Sequence, residues 1–117
     1  MKMSKFVFIF ILIGCSNAFA GALSGMPIQI MKTDYAGMNL TFIKFSEAVG
    51  KGNCTSGSGV VLHDSNDSST IGVSLALTAL ASGKTFSCWN NSVDSCSRIT
   101  GSIDTYPVCD YYPSILN

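Results

Sequence analysis

The chain has 117 residues, seven basic and seven acidic side chains and one histidine. That length suits one domain rather than two. The even charge balance, with no cluster of Lys and Arg, excludes the electrostatic footprint of a nucleic-acid binder.

Residues 1–20 read as a targeting segment. Lys2 and Lys5 precede a continuous apolar run from Phe6 to Ile13, and Ala18-Phe19-Ala20 is an A-x-A cleavage signal. The apolar run is too short to span a bilayer. We expect cleavage after Ala20, leaving one secreted or periplasmic domain of residues 21–117. A rival reading takes Leu12-Ile13-Gly14-Cys15 as a lipobox, with lipidation of Cys15 and a membrane-anchored envelope protein. Without Lys2 and Lys5, five basic residues face seven acidic ones, a net charge of −2.

Cleavage leaves Cys54, Cys88, Cys96 and Cys109, an even set that reads as two disulfides in an exported domain. Residues 89–95 resemble a hairpin loop, which pairs Cys88 with Cys96 and Cys54 with Cys109. No metal site is expected, since no C-x-x-C occurs and His63 stands alone. Asp64-Ser65-Asn66-Asp67-Ser68 has the look of half a calcium loop, but the required Gly is missing and Leu75 stands where the bidentate acid belongs.

In chain order, alternation from Met26 to Asp34 predicts a first strand with Pro27 at its start. Ala36-Gly37-Met38-Asn39 makes a turn, and Leu40 to Phe45 forms the second strand. A Gly/Ser/Asn loop over 47–59 leads to a short buried strand at Val60-Val61-Leu62. Residues 63–69 form a polar loop.

The helix lies over 71–82. Val73, Ala76, Leu77 and Leu80 fall at i, i+3, i+4, i+7, Ser69 or Thr70 can cap the start, and Gly83 suits the left-handed position past the end. Ile71 and Leu75 lie on the opposite side, so the helix is apolar nearly all round. Such a helix is covered on more than one side, which makes Ile71 and Leu75 candidates for a subunit interface. Thr85 to Trp89 is a fourth strand and Arg98 to Tyr106 a fifth, with Ile99 and Ile103 as core positions; an irregular tail follows Pro107.

Three strands, a helix and two strands predict a mainly β fold with one helix: an OB-fold-like five-stranded barrel, β-β-β-α-β-β, stapled by two disulfides. The helix end Ala81-Ser82-Gly83-Lys84, the strand Thr85-Phe86-Ser87-Cys88, and then Cys96 and Ile103 resemble the matching segment of B subunits of AB-type bacterial toxins, in the subtilase-cytotoxin and pertussis-like group. The resemblance covers residues 58–106. It implies an exported, ring-forming, non-catalytic subunit that binds host glycans and partners a catalytic toxin subunit.

Trp89, Asn90, Asn91 and Asp94 offer an aromatic platform beside amide and carboxylate groups, the mixture a sugar requires, and are the candidate glycan contacts. The competing structural readings pack Trp89 on its neighbouring disulfide, make Asn90 and Asn91 turn residues, and use Tyr111 and Tyr112 to cover the barrel end. A single His outside any nucleophile motif gives no catalytic site, and no cofactor is expected. A disulfide-stapled protein-binding or inhibitor module is the alternative function.

Overall fold

The computed structural model describes residues 21–65 and 67–116. The expected targeting segment and the Cys15 alternative lie outside the described residues. The elements are β1 (Ala22–Gly25), β2 (Pro27–Tyr35), β3 (Met38–Phe45), β4 (Gly59–His63), α1 (Asp67–Ser82), β5 (Thr85–Trp89), β6 (Cys96–Ser97), β7 (Tyr106–Pro107) and β8 (Tyr111–Leu116).

Among the described residues the chain is mainly β with one helix, but the expected closed barrel is not formed. The strands make two antiparallel three-stranded sheets, β1-β5-β8 and β2-β3-β4, and a two-stranded ribbon, β6-β7. A short parallel bridge, Val61 to Val108, ties the chain before β8 to the edge of β4. The chain changes sheet at Met26, between β1 and β2. Gly25 is required there, because a Cβ at this position would stand 2.6 Å from Cγ of Phe45. β2 and β3 form a hairpin whose two-residue turn, Ala36-Gly37, has φ of 53° and 80°, the left-handed pair that short hairpins demand.

α1 begins before the expected cap residues and ends where the sequence places its end. Gly83 has φ of 68°, and the amide of Lys84 donates to the carbonyl of Ala79 at 3.0 Å, the six-to-one bond of a Schellman stop. Its buried stripe is small: Gly72, Ala76 and Ala79. Small residues let the helix axis come close to the sheets, and Leu62 and Pro113 crowd Gly72. Around this stripe lies the main core: Leu23, Phe86 and Cys88 from one sheet with Ile43, Phe45, Val60 and Leu62 from the other. A second core covers the far face of β3 and β4, where Leu40, Phe42 and Val61 meet Ile99 and Tyr106. Phe42 and Tyr106 stack edge-on with centroids 4.7 Å apart. β3 and β4 are therefore apolar on both faces, as a central layer must be.

That second core explains two departures from expectation. Residues 98–105 form a loop rather than a strand, folded over the β2-β3 hairpin. Its turn has Gly101 at φ of 88°, and the Thr100 amide donates to the carbonyl of Asp34 at 2.8 Å. Ile99 is buried as expected, but Ile103 is 86% exposed and belongs to no core. The tail, expected to be irregular, is β8. It pairs with β5 through a bulge at Tyr112, whose φ is 58°. Pro113 is tolerated because β8 is an edge strand, where a missing N–H leaves no partner unpaired.

Both expected disulfide pairings are corrected. The bridges are Cys54–Cys96 and Cys88–Cys109. Cys88 faces the core from β5, and β8 is drawn to β5 by pairing, so Cys109, just before β8, arrives beside it. The 90–95 loop instead leans on the 51–54 turn: the amide of Asn53 donates to the carbonyl of Val93 at 2.9 Å, which brings Cys54 to Cys96. Two disulfides mark an oxidising compartment, extracellular or periplasmic. Among the described residues no helix is long and apolar enough to cross a membrane.

Candidate functional site

The pleat of the β1-β5-β8 sheet sends alternate side chains to opposite faces. Leu23, Phe86, Cys88 and Ile115 go to the main core. The register then lays out the outer face in rows: Ala22, Trp89 and Tyr111 side by side, and next to them Ser24, Ser87 and Ser114. Trp89 is 43% exposed and Tyr111 45%. Tyr112, displaced by the bulge, is exposed too, and its ring lies 5.7 Å from that of Tyr111. On the other side of Trp89 in the register stands the small, exposed Ala22. Ser24 Oγ donates to Ser87 Oγ at 3.0 Å; Ser87 is almost covered, so Ser24 is the hydroxyl a ligand would reach. An aromatic row beside a hydroxyl row fits a sugar ring, whose C–H face is apolar and whose edge carries hydroxyls.

Of the four expected glycan contacts, Trp89, Asn91 and Asp94 are exposed and Asn90 is buried. Trp89 stands open, as a stacking platform requires. Asn90 is 5% exposed, and its Nδ2 donates to the carbonyls of Ser95 (3.2 Å) and Val108 (2.9 Å), so this side chain closes the loop from inside. Asn91 is exposed, with its backbone amide donating to Asp110 Oδ2 at 2.8 Å. Asp94 is exposed and accepts from Asn53 Nδ2 at 2.6 Å. The residue that joins Trp89 on the face is Tyr111, which sequence reasoning set at a barrel end. The adjacent tyrosines were visible, but nothing local showed that their segment pairs with β5.

The outer side of α1 is the second unusual surface. Ile71 is 60% exposed and Leu77 50%, whereas Leu75 is half-buried against the main core. The hydroxyls of Ser74, Thr78 and Ser82 each donate to the carbonyl four residues back, at 3.3, 3.0 and 2.7 Å. Hydroxyls spent on their own backbone present methyl and methylene groups outward. No charged residue occurs between Ser68 and Ser82.

Among the described residues no group of three or more His, Cys, Asp and Glu is placed to hold a metal. Known protein families, characterised proteins and solved structures contain no match to this chain.

Proposed function

We propose that the domain is an exported, non-catalytic glycan-binding subunit that assembles with copies of itself, in the manner of a toxin B subunit serving a separate catalytic chain. The observation that carries the reading is the exposed Trp89–Tyr111 row beside the Ser24–Ser87 hydroxyls on one sheet face. Support for self-assembly comes from the uncharged outer side of α1, with Ile71 and Leu77 in water. The element order, with the helix leading from β4 into the central strand of the second sheet, supports an OB-related topology in open form.

A glycan array with the oxidised domain, read against Trp89→Ala and Tyr111→Ala, tests the binding site. Each variant is expected to fold and to weaken binding by about tenfold, or roughly 1.4 kcal/mol. A blank array with the unaltered protein ends the glycan reading, and the protein-binding alternative then takes its place.

A further inference from the structure

Away from the aromatic row, Lys32 of β2 and Asp64 after β4 form a pair whose construction exceeds what stability asks of it. Lys32 Nζ lies 2.6 Å from Asp64 Oδ2 and donates to Thr41 Oγ1 at 3.0 Å; Thr41 Oγ1 donates in turn to Asp64 Oδ1 at 3.1 Å. Thr41 is fully buried, while the Lys32 side chain is 67% exposed. An exposed ion pair contributes only about 0–1 kcal/mol. Here a buried hydroxyl nevertheless fixes both charged heads in one geometry.

Two hollows meet at this pair. One, of about 390 Å³, lies against the first turns of α1, where Ser69, Thr70, Val73 and Ser74 line it. The other, of about 570 Å³, lies between the β2-β3 hairpin and the 98–105 loop, with Asn39 and Thr100 on its walls. Lys32 and Asp64 border both. An ammonium has three N–H donors, and two are spent here; a carboxylate retains lone pairs beyond the two bonds it accepts. The pair therefore offers a free donor beside a free acceptor and is itself neutral, amid hydroxyl and amide walls, the apolar Val73 and, in the second hollow, the Asp34 carboxylate, which already accepts from Thr100 Oγ1.

We infer that the Lys32–Asp64 pair is a second ligand site, independent of the Trp89 face, that takes a neutral saccharide through a vicinal diol. One hydroxyl oxygen accepts from Lys32 Nζ, and the adjacent hydroxyl donates to Asp64. A singly charged anion would meet the carboxylate as well as the ammonium, so an uncharged polyol matches the site better. Its failure would leave the Trp89 reading untouched, because the two surfaces report separately.

The test is amide-resolved NMR on the ¹⁵N-labelled, oxidised domain, titrated with the methyl glycosides of mannose and galactose, which both carry a cis diol. Saturable shifts are expected at the amides of Asp64, Ser65 and Thr70. Lys32→Met and Asp64→Asn are each expected to weaken that response by about tenfold. Ser74→Phe, at an exposed helix position, fills the first hollow while leaving both members of the pair in the chain, and serves as the variant that keeps the fold. Absence of saturable shifts at those amides with both glycosides overturns the site. So do shifts there that persist undiminished in folded Lys32→Met and Ser74→Phe proteins. Shifts confined to Trp89 and Tyr111 overturn it too, while supporting the other face.

Discussion

Asn90 separates a structural role from a binding role within the loop after β5. Replacing it by Ala removes two hydrogen bonds from a 5%-exposed side chain. The carbonyl of Ser95 keeps the amide of Val108, at 3.0 Å, so it is not abandoned. The Val108 carbonyl loses the Asn90 amide in a covered site, which costs about 1–3 kcal/mol, and the small void adds to it. A total of about 2 kcal/mol corresponds to a fall in Tm of roughly 10 °C for a domain of this size. Asn91→Ala, at an exposed position one residue on, is expected to stay within about 0.5 kcal/mol. Thermal unfolding by circular dichroism measures both, and a glycan array on the folded variants measures binding. An Asn90→Ala protein with unchanged Tm and lost glycan binding would refute the reasoning and return Asn90 to the ligand site.

The bridges differ in the loops they close. In the chain-entropy model, loss of Cys54–Cys96, with a separation of 42, costs about 4 kcal/mol, and loss of Cys88–Cys109, with a separation of 21, about 3.4 kcal/mol. Paired Cys→Ser variants compared by urea unfolding check this, and non-reducing peptide mapping that joins Cys88 to Cys96 would overturn the pairing itself. Gly59→Ala is expected to cost about 2–3 kcal/mol, because the added Cβ meets the carbonyl of Ile43 and the ring of Phe42; an unchanged denaturation midpoint would show that β3 yields there. Ile71→Glu and Leu77→Glu place a charge on the outer side of α1, where an interface would have to desolvate it. Sedimentation should show the assembly broken with Tm within a few degrees of the parent, whereas Leu75→Glu should also lower Tm because Leu75 touches the core.

Some features are local, and the sequence by itself determines them. The 3.6-residue stripe through Val73, Ala76, Leu77 and Leu80 and the left-handed preference at Gly83 fix the helix and its end, since both act within a few residues, although the fold leaves Leu77 50% exposed. β2, β3 and β4 follow from period-2 alternation or short apolar runs, and the four cysteines after residue 20 read as two bridges in an oxidising compartment. What the local pattern cannot carry is which segment pairs with which. Arg98 to Tyr106 contains strand formers, yet Thr100 bonds to Asp34 and Gly101 turns the chain, because that path lets Ile99 and Tyr106 cover Leu40 and Phe42. Tyr111 to Leu116 holds a Pro and a left-handed Tyr, which argue against a strand. It becomes one because β5 offers an unpaired edge, and ladder bonds together with burial of Ile115 outweigh the local cost.

The same pairing decides the Cys88–Cys109 bridge and the candidate site. Trp89 is legible as a candidate platform from its chemistry alone. Its neighbour on the platform, Tyr111, lies 22 residues away and was reached only through the register of β5 with β8. Asn90, adjacent in sequence, turns inward, where the carbonyls of Ser95 and Val108 accept from its side-chain amide. Neighbours along a strand point to opposite faces, whereas neighbours across a sheet share one. Sequence proximity therefore does not decide which side chains share a face with Trp89; the register of β5 with β8 does, and it sets Tyr111 there.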